Sequence, residues 1–172
     1  MEQEPQTTRP IGKAMVIIAW ILLLVFLSLF FNKLLNEQRN PNQQVGGAVS
    51  GNVNEIVLER NHYGHYVATA RINQHDVEVM VDTGATTVSI PEKLAQQLGL
   101  KRGPAIQVET ANGRITAYVT RLDEVQLGTI KLTNVPANIN PYSQDILLGM
   151  SFLKQLEFSQ RGKQLTLRQY NH

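Results

Sequence analysis

The chain has 172 residues with 16 basic and 14 acidic side chains, a net charge of +2, and no cysteine. That length holds one domain with additions rather than two full domains. The lack of cysteine excludes disulfides and thiol chemistry, and the near balance of basic and acidic residues from Glu55 onward leaves no electrostatic footprint for nucleic acid.

Residues 1–13 form a short tail. Ala14 to Phe31 (AMVIIAWILLLVFLSLFF) then runs without a charge between Lys13 and Lys33. At 1.5 Å per residue this stretch covers roughly 27 Å of a hydrocarbon core about 30 Å thick, enough for one transmembrane helix. A cleaved signal peptide is the competing reading, but its apolar part is usually about 7–15 residues long and ends in small residues. Here the run closes on Phe30-Phe31-Asn32-Lys33, and the small residues Gly46 to Ser50 lie far downstream. A retained anchor at 14–31 is therefore expected. Arg9 and Lys13 before it nearly balance Lys33 and Arg39 after it, so charge alone barely orients the helix; a short tail inside and the main domain outside is the expectation. Residues 32–54 are rich in Asn and Gln and contain Pro41, Gly46, Gly47 and Gly51. They read as a flexible linker with a reach of roughly 25 Å.

From Glu55 to the end (55–172) the pattern is strands and turns. Ile56–Glu59 and Tyr66–Ile72 are strand candidates, and Asn73-Gln74 is a hairpin turn into the next strand. His62 and His65 have a spacing a metal could use, but they flank Gly64 without a third ligand and read as structural; no metal or cofactor is expected. Val77, Val79 and Val81 alternate with Asp76, Glu78 and Met80, so a half-buried strand delivers Asp82 to a turn, and Val88 and Ile90 resume the pattern beyond it. Gly84 permits a backbone shape that side chains disfavour, and the Thr83 hydroxyl is positioned to tie the loop from inside. Asp, Thr and Gly are also ordinary turn formers, so the tripeptide alone is equally an ordinary turn.

Pro91 to Leu98 is the clear helix, with Leu94 and Leu98 on one face and Gly99 to end it. Val108 to Val119 reads as a hairpin around Asn112-Gly113, Val125 to Leu132 as another around Gly128-Thr129, and Val135 to Ile139 as a further strand. Asp145 to Leu153 is an apolar strand, Leu147-Leu148-Gly149, then a short helix. Gln164 to Arg168 finishes as an alternating strand. There is no Gly-rich phosphate loop and no nucleophile elbow.

Asp82-Thr83-Gly84 followed by Ala85-Thr86, the hairpin Thr110-Ala111-Asn112-Gly113-Arg114, and the apolar-apolar-Gly run at Leu147-Leu148-Gly149 occur in that order. With them, the region from Glu55 onward resembles the retropepsin-like aspartic proteases, most closely their small, membrane-anchored bacterial branch. The resemblance implies a mainly β, single-lobed acid-protease barrel with one or two short helices, preceded by one transmembrane helix. It also implies Asp82 as the catalytic acid, held by Thr83, Gly84, Ala85 and Thr86. Thr110 to Arg114 would be a flap over a peptide substrate, and Leu147, Leu148 and Gly149 would support the catalytic loop. It places the enzyme in a bacterial inner membrane with its domain in the periplasm. Hydrolysis by this route needs two carboxyls sharing one proton. Of Asp76, Asp82, Asp123 and Asp145, only Asp82 precedes Thr-Gly. The second Asp82 is therefore expected from another copy, making a homodimer. The strands from Glu55 and through Gln164–Arg168 are candidates for the sheet between copies. A peptide-binding module that keeps the fold without cleaving, and an unrelated β-barrel with an accidental Asp-Thr-Gly, stay open at this point.

Overall fold

The computed structural model describes residues 9–110 and 113–171, and the chain divides into two compact units between Glu37 and Gln38. The first is built on helix α1 (Arg9–Arg39), whose apolar side chains from Met15 to Phe31 are exposed. It is long and apolar enough to cross a membrane.

The second unit is mainly β, as the sequence predicts, but it begins earlier than Glu55. Where a linker was expected from residue 32, the helix continues to Arg39, carried by good helix formers such as Leu34, Leu35, Glu37 and Gln38. Arg39 forms ion pairs with Glu78 (2.9 Å) and Asp145 (3.2 Å). Asn42 is buried, and its amide works as a two-sided backbone mimic. Nδ2 donates to the carbonyls of Glu59 (2.9 Å) and Val67 (2.7 Å), while Oδ1 accepts from the Glu59 N–H (2.8 Å). Asn-rich composition here marks buried hydrogen bonding between two strands rather than a solvated spacer.

The strands are β1 (Gly47–Ser50), β2 (Val53–Glu59), β3 (Val67–Ile72), β4 (His75–Val81), β5 (Val88–Pro91), β6 (Ala105–Thr110), β7 (Gly113–Leu127), β8 (Ile130–Asn140), β9 (Ile146–Leu148), β10 (Glu157–Arg161) and β11 (Gln164–Tyr170). Two short helices, α2 (Glu92–Gln97) and α3 (Met150–Leu153), interrupt them. One sheet has the order β3-β4-β9-β5-β8-β7-β6, and a further β3–β7 pairing closes its first six strands into a barrel. Closure removes free edges around the core, where Ile72, Val79, Ile90, Leu122, Leu127, Ile139, Ile146, Leu148 and Phe152 are buried. The second sheet has the order β1-β2-β11-β10. In it β11 has β2 on one side and β10 on the other. Its two edges are filled within the chain, so β11 is not available to pair with another copy as the sequence analysis considered.

Two sequence-predicted hairpins merge into longer strands. β7 and β8 keep one register from Tyr118↔Ile139 to Leu127↔Ile130. Asn134 adopts a left-handed backbone (φ 57°), which Asn tolerates better than most residues. Buried positions run Ile130 and Leu132 before it but Val135, Ala137 and Ile139 after it, so the ribbon turns over at this residue without breaking.

Candidate active site

Asp82 stands at the end of β4, half-exposed, in the loop that leads to β5. Strand β9 fills the gap between those two strands. It runs parallel to β4 with Val81 opposite Leu148, and meets β5 at Ser89↔Leu147. The Asp82 N–H donates to the Leu148 carbonyl (3.2 Å), so the pairing continues up to the carboxylate-bearing residue itself. On the far side of the loop, the first N–H groups of α3 close the structure: Met150 donates to the Ala85 carbonyl (2.8 Å) and Ser151 to that of Thr86 (3.0 Å).

Gly149, between β9 and α3, is where these two backbones come closest. A Cβ there would lie 2.6 Å from the Ala85 carbonyl oxygen and closer still to that of Thr87. No side chain fits, which gives Leu147-Leu148-Gly149 its physical meaning: two apolar residues for the sheet, then a bare backbone against the loop. Within the loop, Asp82 Oδ1 accepts from the Gly84 N–H (2.8 Å), and the Ala85 N–H reaches the Asp82 carbonyl (3.3 Å). The carboxylate is thus aimed by its own turn, with no ion pair to it among the described residues.

Thr83 differs from expectation. It is exposed and makes no hydrogen bond within the chain among the described residues. The bracing comes from residues the sequence analysis missed. Ser151 Oγ is buried, accepts from the Val88 N–H (2.9 Å) and donates to the Pro136 carbonyl (2.7 Å). Asn138 Nδ2 donates to Thr87 Oγ1 (2.8 Å), and Ser89 Oγ donates to Asn138 Oδ1 (3.1 Å). A polar Asn138 between the apolar Ala137 and Ile139 of β8 was the one available signal, since a buried amide in a strand requires partners.

The hairpin of β6 and β7 pairs Ala105↔Tyr118 through Thr110↔Gly113. Gly113 therefore pairs within the ladder rather than forming the turn, one residue off the sequence-based placement. Ala111 and Asn112, assigned to the flap, lie outside the described residues. Near the tip, Thr110 Oγ1 donates to the Gly113 carbonyl (2.7 Å) and Arg114 Nε to Glu109 (2.8 Å), both exposed. One face of the hairpin carries Gln107, Glu109, Arg114 and Thr116, the other Ile106, Val108, Ile115 and Ala117. At its base the Gly103 N–H donates to the Val119 carbonyl (2.7 Å) and the Val119 N–H to that of Pro104 (2.9 Å), and Arg102 lies 4.6 Å over the Tyr118 ring. Two clefts of about 500 and 620 Å³ open elsewhere on the domain, and neither is lined by Asp82.

The family model described as "gag-polyprotein putative aspartyl protease" matches residues 68–155. A retropepsin-like aspartic protease from Rickettsia conorii, known from a crystal structure, superposes with a TM-score of 0.59 at 27% identity, over 73% of this chain and 98% of that one. An uncharacterised protein from the cobV 5′ region of a Sinorhizobium species is 37% identical over 122 residues, 66% of this chain and 52% of the relative. An uncharacterised protein of Rickettsia prowazekii (strain Madrid E) is 32% identical over 125 residues, 70% of this chain and 54% of the relative. The chain thus spans about half the length of the curated relatives it matches. By the family match over the barrel and the fold shared with the rickettsial enzyme, the chain belongs to the retropepsin-like aspartic proteases.

Proposed function

We propose that the chain is a membrane-anchored aspartic endopeptidase in which Asp82 residues from two copies form the catalytic pair. The observation that carries this is the Asp82 loop: a half-exposed carboxylate aimed by the Gly84 N–H and locked between β4, β9, β5 and α3. In the pair, two adjacent carboxyls share one proton. The ionised Asp82 takes a proton from a water, whose oxygen attacks the scissile carbonyl carbon. The protonated Asp82 donates to the carbonyl oxygen, giving a neutral tetrahedral diol. Collapse returns the proton to the departing nitrogen and breaks the C–N bond. One chain supplies one such carboxylate, since only Asp82 among its four aspartates precedes Thr-Gly, so the pair takes its second carboxylate from another copy.

In this reading Gly84 to Thr86 hold the loop and Thr110 to Arg114 close over the peptide as a flap. Helix α1 is a retained single-pass anchor, and the domain faces the periplasm of a bacterial inner membrane. The bacterial relatives and the length of the helix support that location. The substrate is a peptide or protein held in extended form, and no cofactor takes part. The test is Asp82→Asn in the detergent-solubilised full chain, assayed on a peptide library. The amide keeps the carboxylate's shape but cannot act as a base, so cleavage disappears while the thermal transition is unchanged. Cleavage that survives Asp82→Asn contradicts the assignment. A wild type that binds peptides without cleaving them identifies a binding module instead.

A further inference from the structure

At one end of the four-stranded sheet, the loop of residues 60–64 is locked in shape and presents an aromatic ring to solvent. Asn61 is buried, and its Oδ1 accepts from the N–H groups of Tyr63 (3.0 Å) and His65 (2.9 Å). Arg60 Nε donates to the Gly64 carbonyl (2.7 Å) and closes the loop from outside. Tyr63 meets the His62 ring edge-on and is still 72% exposed. A ring with an apolar body and a polar tip, held outward by a rigid loop, suits a boundary between water and lipid.

The cations around this loop are free, while the nearby carboxylates are taken. The Arg60 N–H donates to the Lys163 carbonyl (2.8 Å), which sets the loop beside the β10–β11 turn, where Arg161 and Lys163 flank Gly162. Arg60, Arg161 and Lys163 are exposed and form no ion pair among the described residues. Glu59 accepts from Gln164 Nε2 (2.7 Å), and Arg39 holds Glu78 and Asp145. At the opposite end of the sheet, Glu55 and Glu157 converge on Arg168. Among the described residues, the sheet's unpaired cations thus gather at one end.

That end is also where the chain enters the domain. Asn61 Nδ2 donates to the Arg39 carbonyl (2.9 Å), and Arg39 is eight residues past Phe31, where the apolar run stops. Along a helix those residues rise about 12 Å, of which lipid headgroups occupy about 5–8 Å. The remaining distance is within the screening length of about 8–10 Å over which surface charges act at physiological salt. We infer that Arg60, Tyr63, Arg161 and Lys163 form a docking surface for the anionic phospholipid headgroups of the bilayer that holds α1. The guanidinium and ammonium groups take the phosphates, and Tyr63 seats among the headgroups. The inference rests on the reading of α1 as a retained anchor. It gives the domain a second membrane contact, so that it is held by one end instead of turning on its tether.

Because the chain has no cysteine, a single engineered thiol can carry a fluorophore. The full chain is labelled at His62→Cys or at Ser50→Cys, the latter at the opposite end of the sheet, where β1 meets Val53. Each is reconstituted into vesicles of phosphatidylcholine, alone or mixed with phosphatidylglycerol, that contain a lipid with a quencher on its headgroup. The label at residue 62 is expected to be quenched in the anionic vesicles, to recover in high salt, and to stay bright in phosphatidylcholine alone; the label at residue 50 stays bright throughout. Arg60→Gln, Arg161→Gln and Lys163→Gln combined are expected to weaken docking roughly a hundredfold, at about fivefold per charge, with the thermal transition unchanged. Equal quenching at residue 62 in the two lipids, or in the triple variant, overturns the proposal, as does equal quenching at residues 50 and 62. An alkaline wash of the same vesicles reads the anchor separately. A chain that stays on them but is never quenched at residue 62 overturns the docking surface and leaves the anchor intact, whereas a chain that washes off removes the anchor and the surface with it.

Discussion

Asp82 and Arg114 each stand close to a glycine where a strand meets a turn, yet the fold holds them very differently. Around Asp82, two flanking strands, an inserted third strand and the start of a helix all bond to one loop, and the bracing side chains Ser151, Asn138 and Ser89 are buried. Around Arg114, two strands bond only to each other toward the tip, and the side-chain bonds are exposed. Surface bonds of the second kind contribute little and open easily, whereas buried ones are costly to break. The difference matches the two tasks proposed for these regions: a carboxylate must not move during proton transfer, and a flap must open to admit a peptide.

A pair of glycine substitutions should break the symmetry most visibly. Gly149→Ala forces a methyl group into the Ala85 and Thr87 carbonyls, which are backbone and cannot yield. A loss of about 3 kcal/mol or more is expected in denaturant unfolding. Gly113→Ala meets no atom within 4 Å, and only its positive φ of 106° opposes it, an expected cost of about 1 kcal/mol. Equal costs at the two sites would undo the contrast.

Ser151→Ala tests the bracing itself. It leaves the buried Val88 N–H and the half-buried Pro136 carbonyl without the Ser151 hydroxyl, and is expected to cost about 2 kcal/mol while slowing cleavage, because the loop loses its fixed end. Restoration by Ser151→Thr would tie the effect to the hydroxyl. At the small end, Arg114→Ala removes an exposed ion pair with Glu109. Less than about 0.5 kcal/mol of stability should be lost, while cleavage of peptides changes several-fold through the flap.

Much of the fold was legible where the signal is local. Asn73 and Gln74 both take positive φ in the tight turn between β3 and β4, Gly99 follows α2 at φ 66°, and the valine alternation into Asp82 is β4. The bracing of the loop was not legible, because it joins residues far apart in sequence: Ser151 to Val88, Asn138 to Thr87, Ser89 to Asn138. Nothing in the spacing of these residues announces that two strands and a helix bring them together. Thr83, beside Asp82, makes no hydrogen bond within the chain among the described residues, and the bonds that hold the loop there come from longer-range partners. Composition misled at Asn40 and Asn42, where polar residues lie buried between strands. The breadth of β7 and β8 was hidden by Asn134, since a switch of the buried face mid-strand reads in sequence as a break.

The two-copy catalytic pair is tested most directly by mixing. Wild-type chain is allowed to exchange with an equal amount of Asp82→Asn chain in the same detergent, and cleavage is measured per wild-type molecule. With one Asp82 drawn from each copy, a mixed dimer lacks its base, so activity per wild-type chain falls to about one half and continues toward zero as the variant is added in excess. Activity that stays constant per wild-type chain at every ratio, with exchange verified by differently labelled chains, would show that each chain cleaves with its own Asp82 alone and would contradict the account.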